Sequence, residues 1–576
     1  MTRLLFCTLA SCALLVAQDT PARPSGPLPA GTRNATAPSH VYTRGDLEIL
    51  TFETEQDYER LQQLYSESQK TEPQAGQETT LYLRSRTDNS VQPYGVWLPR
   101  GFSRDRTWPL VVQLHGLNFR EVLSGARVNY RGMGGPQWVE AELPVIYVHC
   151  FGRPSAFYRG MGEVDVLEVI DAVKQRFPIN ADRVYIMGHS MGGSGSYFIG
   201  LHYPDLFGGI MPLDPAMWAK QAPPEPPAPA WMKPQIDIHW PDHMFPNARN
   251  VDVFLKNAGE GIQKRSTEFS DGIVEQGGFA TMESFPRMPH NFGDQYPYAN
   301  FVPELIQHPI RRYPAQVKYY TNTLRYNRAY WVTIDRLTRH NHDALVVADN
   351  DKGAIRITTT NIDAITLRPE AAPASVTVDG NNVPGPFSTE VHVSKSGGAW
   401  KQGDWPKEAS AKRHGVQGPI DDAFNSRFLA VYGDASDREL AISELDAIRN
   451  PPGPMDIHGD FPMKAASKVT RADIESANLI LFGTPQTNAV LQRIAANLPA
   501  ELLRAEDGAR TIFVYPNPEN AERYVVVWQA KLLSGPAPLH YGWIMPLTLL
   551  PDYVRVRDGR VLSGGHFDSD WKLGSN

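Results

Sequence analysis

Residues 183–193 constrain the fold of this 576-residue chain more than any other segment. They read Arg-Val-Tyr-Ile-Met-Gly-His-Ser-Met-Gly-Gly, so an apolar strand runs directly into a glycine-flanked serine, Ser190, and then into a helix of small residues. A serine on such a strand-to-helix turn is held under strain, and side chains in place of the flanking Gly188 and Gly192 would collide with the neighbouring strand and helix. We therefore predict a sharp turn that exposes the Ser190 hydroxyl.

Strand and helix patterns alternate around this turn. Continuous apolar runs at 110–114 and 144–150 are typical of strands buried on both faces, and an amphipathic helix follows with an apolar stripe from Val166 to Phe177. Further strands and helices continue the alternation as far as residue 285. This order predicts an α/β fold with a mostly parallel sheet and helices on both faces.

A serine nucleophile on this kind of turn needs a base and an acid, which follow it along the chain. His290 comes after a predicted strand and a proline break, so we predict that it is the general base that takes the Ser190 proton. The acid is expected in the loop after the strand at 251–255, where Glu260 is the carboxylate available. Asp214, at the end of the preceding strand, is the alternative acid.

Two backbone amides are predicted to stabilise negative charge on the substrate oxygen. One is the Met191 N–H at the start of the helix, and the other is the Leu117 N–H in the loop after an earlier buried strand. We expect His115, Gly116 and Tyr158 to border the bound substrate, with His115 shaping its loop rather than acting as the base.

Composition and charge narrow the classes of partner. The formal net charge is −7, and no basic patch stands out, so we predict neither a nucleic-acid partner nor an anionic membrane surface. His239 and His243 have a metal-binding spacing only if they lie on a helix, and Pro241 between them opposes one. We therefore predict no metal and no cofactor, and the sequence leaves the oligomeric state open.

The N-terminus has the pattern of a secretory signal peptide over residues 1–17. An uncharged apolar run from Leu4 to Ala17 follows Arg3 and is too short to cross a bilayer. This predicts a secreted or periplasmic protein without a membrane span. Cys150 is the cysteine left after removal of the signal peptide, and it ends an apolar strand, so we interpret it as a buried hydrophobic residue rather than a nucleophile.

The pattern of residues along the chain predicts its division into domains. A flexible arm with a short helical lead-in is expected at 18–78, and the α/β catalytic domain at 79–310. Short β runs without intervening helices predict a sandwich-like β-rich module at 311–405. Helices and strands alternate again at 406–576, which predicts a C-terminal α/β domain.

Several motifs in register give the segment 80–300 a family resemblance. They are Leu114-His115-Gly116, Tyr158-Arg159-Gly160, the helix that carries Asp165, Gly188-His189-Ser190-Met191-Gly192-Gly193 and Pro289-His290. The segment resembles the prolyl-oligopeptidase-type (peptidase S9) serine hydrolases, and within them it is most similar to secreted esterases such as feruloyl esterases and polyhydroxybutyrate depolymerases. The resemblance implies an α/β-hydrolase core with Ser190, His290 and an intervening acid as its triad. The region beyond 310 resembles the β-plus-α/β extensions of uncharacterised bacterial hydrolases of this type.

The chain departs from this family pattern at the acid. The family usually carries an aspartate where this chain reads Asn257-Ala258-Gly259-Glu260, so Gly259 takes the position of the aspartate. Prolyl oligopeptidases also carry a β-propeller ahead of the catalytic domain, which is not found between the signal peptide and residue 79. These features favour a hydrolase of small-molecule or polymer-attached carboxylic esters. A peptidase for short peptides and a catalytically inactive binding protein are the alternatives.

Overall fold

The structure is a computed structural model, and it describes most of the chain outside the N-terminus. The described residues are 39–117, 143–215, 227–259, 263–290, 292, 298–405, 411–451, 455–537, 539–542 and 544–574. The predicted signal peptide and part of the predicted arm therefore lie outside the described residues. Ten α-helices occur within the described part: α1 Glu55–Ser68, α2 Met161–Arg176, α3 Met191–His202, α4 Lys233–Asp237, α5 Gln263–Glu275, α6 Val302–Leu305, α7 Ala435–Arg449, α8 Arg471–Ser476, α9 Ala489–Ile494 and α10 Ala500–Leu503.

Short 3₁₀ helices join several of these elements. They are Ala230–Met232, Pro241–Arg249, Tyr298–Phe301, Ile420–Phe424, Ala466–Lys468, Ala495–Asn497 and Pro546–Leu549. Two strands precede α1 near the start of the chain: β1 His40–Arg44 and β2 Leu47–Thr51.

The predicted catalytic domain is built on an eight-stranded sheet, which we call the catalytic sheet because it carries the predicted nucleophile Ser190. Its strands are β3 Glu78–Arg84, β4 Val91–Trp97, β5 Trp108–Leu114, β6 Ile146–Cys150, β7 Ile179–His189, β8 Gly209–Leu213, β9 Asp252–Ala258 and β10 Ala280–Phe285. They lie in the order β10-β9-β8-β7-β5-β6-β4-β3, parallel from β10 to β6 and antiparallel at β4 and β3. The predicted mostly parallel sheet is confirmed, and Cys150 is buried within it as expected.

The next ten strands form two five-stranded sheets around a separate apolar core. The strands are β11 Gln316–Thr321, β12 Arg328–Ala329, β13 Val332–Leu337, β14 Ala344–Asp351, β15 Ala354–Thr360, β16 Ile362–Leu367, β17 Ser375–Val378, β18 Asn381–Val383, β19 Val391–Ser396 and β20 Ala399–Gln402. One sheet has the order β11-β14-β15-β17-β18 and the other β12-β13-β16-β19-β20. Trp331 and Trp400 are buried in the shared core, as alternating strands of a sandwich require.

A nine-stranded sheet forms the C-terminal part of the molecule. Its C-terminal strands are β21 Phe428–Tyr432, β22 Phe461–Ala465, β23 Asn478–Phe482, β24 Arg510–Asn517, β25 Asn520–Trp528, β26 Tyr553–Arg557 and β27 Arg560–Gly565. The order is β1-β2-β22-β21-β23-β25-β24-β26-β27, with β22, β21, β23 and β25 parallel. The apolar core beside these strands is continuous with the core on one face of the catalytic sheet.

The strands β1 and β2 differ from the predicted flexible arm. Glu48, Ile49 and Leu50 of β2 pair antiparallel with β22, and the Leu50 side chain is fully buried. This segment forms a strand because the backbone amides and carbonyls at the edge of β22 gain hydrogen-bond partners when β2 pairs with it. The helix α1 that follows packs Leu61 onto the catalytic sheet. The segment before residue 79 thus contacts both the catalytic and the C-terminal sheets.

Candidate active site

Ser190 occupies the turn between β7 and α3. Its backbone angles are φ 56° and ψ −113°, a conformation that non-glycine residues rarely adopt. A Cβ atom at Gly188 would overlap the Gly192 carbonyl, and a Cβ at Gly192 would overlap the carbonyl oxygen of Leu114. The Ser190 N–H donates to the carbonyl oxygen of Leu213 at 2.9 Å, which fastens the turn to the adjacent strand β8. The strained turn expected from the glycines is therefore present.

His290 lies beside the Ser190 hydroxyl. Its Nε2 is 2.9 Å from Ser190 Oγ, and its Nδ1 is hydrogen-bonded to Oδ2 of Asp214. The His290 side chain is 39% exposed, whereas that of Asp214 is 1% exposed. The imidazole thus spans from a buried carboxylate to a hydroxyl at the edge of solvent.

Asp214 directly follows β8 and is held by its neighbour β9. Its N–H donates to the carbonyl oxygen of Lys256 at 2.6 Å, and its Oδ1 accepts the N–H of Ala258 at 3.3 Å. The backbone of Asp214 has a φ of 39°, which turns the side chain toward His290. Asp214 is the alternative acid that the sequence predicts. Glu260, the first choice, lies outside the described residues.

The arrangement can move a proton along a defined path. With its own proton on Nδ1 donated to Asp214, the neutral His290 presents Nε2 as an acceptor for the Ser190 O–H. A carboxylate on Nδ1 fixes this tautomer and stabilises the imidazolium that forms when Nε2 takes the proton. The geometry therefore suits a serine activated for attack on a carbonyl carbon.

The two expected oxyanion donors come from different parts of the chain, one next to Ser190 and one in the loop after β5. Met191 is the first residue of α3, where amides have no acceptor within the helix. Leu117 is half-buried and lies at the end of the segment that follows β5, and 118–142 lie outside the described residues. Gly116 lies close by, because a Cβ built on it would be 3.6 Å from the Cβ of Ser190. The turn and the β5 loop thus meet at the serine.

Tyr158 does not line an open site, which corrects the expectation that it borders the substrate. Its side chain is fully buried, its ring fills the space left by Gly152 and Gly195, and its hydroxyl donates to the carbonyl oxygen of His115 at 3.2 Å. His115 is also buried, with Nδ1 2.7 Å from the Gly116 carbonyl oxygen and Nε2 2.8 Å from that of Phe151. Both side chains shape the β5 loop from beneath, and neither faces Ser190.

His189 is a site residue that sequence reasoning missed. Its Nε2 lies 2.6 Å from the carbonyl oxygen of His290, and the two imidazole rings are 4.6 Å apart between centroids. Burial, followed by the neighbouring His290, lowers the pKa of His189 to about 4, so its ring is neutral near pH 7. The glycine-flanked serine pattern leaves this position unspecified, and so the sequence carried no signal for it.

Three titratable side chains near Ser190 lie as close to one another as the ligands of a metal ion would. Ligand atoms of His189, Asp214 and His290 are within 4.8 Å of one another. However, Nδ1 of His290 is hydrogen-bonded to Asp214, and Nε2 of His189 to a backbone carbonyl. A metal ion would have to replace these hydrogen bonds, so the contacts fit proton transfer better than metal ligation.

Among the described helices, none has the length and apolar character needed to span a bilayer.

Residues 166–285 match the family model described as "Putative esterase". This segment contains Ser190 and Asp214 and ends before His290. The matched segment and the mixed sheet with its helices fit an α/β-hydrolase fold. The match supports an enzyme, a hydrolase of the carboxylesterase type.

Solved structures with similarity to this chain include three hydrolases, each aligned over 40% of it. One is described as a thermostable esterase, with 17% identity, a TM-score of 0.31 and 63% of its own chain covered. The second is a ferulic acid esterase, with 19% identity, a TM-score of 0.32 and 96% covered. The third is the Staphylococcus aureus fluorophosphonate-binding serine hydrolase F, with 19% identity, a TM-score of 0.31 and 98% covered. The chain thus spans under two thirds of the length of the thermostable esterase.

Proposed function

We propose that the protein hydrolyses carboxylic esters with Ser190 as nucleophile, His290 as general base and Asp214 as the acid that orients His290. The observation that carries the proposal is the 2.9 Å contact between Ser190 Oγ and His290 Nε2, with Asp214 hydrogen-bonded to the opposite ring nitrogen. The buried position of Asp214 supports this role, because an ionised group held by a backbone amide can stabilise an imidazolium without moving. These contacts favour an active hydrolase over an inactive binding protein.

The reaction has two halves. Ser190 Oγ attacks the ester carbonyl carbon while its proton passes to Nε2 of His290, and the N–H groups of Met191 and Leu117 receive the negative oxygen. The C–O bond to the alcohol then breaks, the alcohol leaves with the proton from His290, and an acyl-serine remains. Water attacks this acyl-enzyme with His290 again as base, so the carboxylic acid is released and Ser190 regains its proton.

The substrate class and the location of the enzyme belong to the same proposal. An uncharged apolar run after Arg3 supports export to the periplasm or the medium. We infer that the substrates are esters met there, either free small molecules or esters attached to a polymer. A serine peptidase of the prolyl-oligopeptidase type is the alternative, and a direct comparison of ester and peptide substrates separates the two.

The test is labelling of the purified protein with a fluorophosphonate probe. Wild type should be labelled, and Ser190→Ala and His290→Ala should not. Ser196→Ala is the matched control, because this buried serine lies on α3 close to Ser190 in the chain and its hydroxyl donates to the Gly193 carbonyl oxygen at 2.8 Å. Labelled wild type that cleaves aryl and alkyl esters but not dipeptide amides supports the esterase. Folded wild type without labelling, or labelling that survives Ser190→Ala, would overturn the proposal.

A further inference from the structure

The base of the proposed triad is held by a second histidine from the nucleophile turn. His189 directly precedes Ser190, and its Nε2 lies 2.6 Å from the carbonyl oxygen of His290. A carbonyl oxygen only accepts, so Nε2 carries the proton and the His189 ring is a donor to the backbone of His290. The turn therefore contacts His290 twice, through the Ser190 hydroxyl and through the His189 ring.

Packing fixes the orientation of the His189 ring. The residue is buried, and its ring stacks on Tyr298 at 5.6 Å with an interplanar angle of 24°. Phe292 closes another side with its ring edge-on at 6.5 Å. A Cβ built on Gly116 would lie 3.3 Å from Nδ1 of His189, so the ring also touches the loop that carries the proposed oxyanion donor. Its donor atom is thus aimed by contacts on several sides.

His290 needs such support because it lies in a turn, outside the helices and strands. The turn follows β10, and a backbone hydrogen bond there, from the Phe292 N–H to the Pro289 carbonyl oxygen at 2.8 Å, joins residues that are close in the chain. Its ring is more than one third exposed, so packing alone does not fix it. A shift of about 1 Å in a catalytic group can cost on the order of 100-fold in rate.

We propose that His189 is a positioning residue, which sets the place of His290 relative to Ser190 by donating an Nε2 hydrogen bond to the His290 backbone. This inference rests on the proposed function. The charge state of His189 fits this role. The titratable groups around it are His290, Asp214 and Tyr298, and burial together with His290 lowers the pKa of His189 to about 4. A neutral ring at this distance adds no positive charge beside the imidazolium that forms on His290 during the reaction.

The test compares substitutions that keep or remove the donor. His189→Phe keeps a ring against Tyr298 and removes the N–H. His189→Gln keeps an amide N–H with about the reach of Nε2, whereas His189→Asn is too short to reach the His290 carbonyl. We expect His189→Phe and His189→Asn to lower kcat for an aryl ester by about 10- to 100-fold with KM changed less than about 3-fold. We expect His189→Gln to stay within about 5-fold of wild type.

A matched histidine separates positioning from general stability. His202 lies on α3, is buried, and has Nδ1 2.8 Å from the Phe198 carbonyl oxygen, but it has no contact with His290. His202→Phe should lower Tm without changing kcat or the rate of fluorophosphonate labelling. Equal losses of kcat in His202→Phe and His189→Phe would overturn the inference, as would wild-type kcat in His189→Phe. If His189→Phe does not fold, equal kcat in His189→Gln and His189→Asn overturns it. Failure of the proposed function is distinguishable, since wild type itself would then show no Ser190-dependent labelling.

Discussion

The carboxylate of Asp214 is hydrogen-bonded to Nδ1 of His290, although the two residues lie 76 positions apart in the chain. The contact forms because Asp214 follows β8 and His290 follows β10, and parallel strands bring their carboxyl ends to the same edge of a sheet. A carboxylate here determines which ring nitrogen of His290 faces the serine.

Asp214→Asn tests this contact directly. The amide no longer stabilises the imidazolium and can present an N–H to Nδ1, which favours the wrong tautomer of His290. We expect kcat/KM for an aryl ester to fall by about 100- to 10,000-fold, with the fold retained. Glu260→Gln is the control and should stay within about 2-fold of wild type. The reverse pattern would make Glu260 the acid.

Gly192→Ala should prevent the nucleophile turn from forming. A methyl group at this position of α3 overlaps the backbone carbonyl oxygen of Leu114, which lies in the buried strand β5. We expect the free energy of unfolding to fall by about 3 kcal/mol or more, measured by urea titration, or the protein to be insoluble. Gly101→Ala is the control, because nothing lies within 4 Å of the added methyl group. Equal stability of the two variants would contradict the observed turn.

Tyr158→Phe separates a structural role from substrate contact. The lost hydroxyl donates to the His115 carbonyl oxygen at 3.2 Å within the buried layer beneath the β5 loop. We expect a loss of about 0.5–1.5 kcal/mol in the free energy of unfolding, with KM unchanged across esters of different size. A KM that rises several-fold for one ester class at unchanged stability would return Tyr158 to the substrate site.

Stability should depend on pH through Asp460. Burial, and next the charge of Asp88, raise the pKa of this carboxyl to about 7. Because the unfolded aspartate ionises near pH 4, the folded state binds the extra proton between about pH 4 and pH 7, and stability falls as pH rises through that window.

Asp460→Asn removes this cost. At pH 8 we expect the free energy of unfolding of the variant, measured by urea titration, to exceed that of wild type by about 1–3 kcal/mol. At pH 4 the two proteins should have the same stability. Asp507→Asn, at an exposed turn, should change neither value. A wild type that gains stability between pH 5 and pH 8 relative to Asp460→Asn would show that the ionised form of Asp460 is favoured.

Local patterns predicted the parts of the molecule that depend on local physics. The glycines beside Ser190 predicted the turn because backbone collisions act over a few residues, and continuous apolar runs predicted buried strands such as β5 and β6. His290 was predicted as the base because few other histidines follow the last strand of this sheet. These signals needed no knowledge of distant contacts.

Other features depend on contacts that the sequence does not state. The sequence placed Asp214 behind Glu260 because the distance from Asp214 to His290 follows from the order of the strands. Tyr158 was expected at the substrate because a loop tyrosine beside a motif resembles a binding residue, whereas Gly152 in its own loop and Gly195 on α3 leave room to bury its ring. His189 had no signal, since its partner is a backbone carbonyl. The strand β2 was missed because the edge it pairs with lies in the last third of the chain.

The pairing of β2 with β22 joins two segments in one sheet that lie far apart in the chain. The Glu48 carboxylate of β2 accepts the Tyr432 hydroxyl at 2.5 Å, 384 residues later, and Arg438 binds its second oxygen. The last sheet is therefore completed by a segment from far earlier in the chain, and β2 stays without its β22 partner until β22 has been synthesised. Closing so long a loop adds only a few kcal/mol of chain entropy but delays assembly, because distant contacts form late. A protease that cuts between the catalytic and C-terminal sheets would accordingly leave two pieces still joined by β2 and β22.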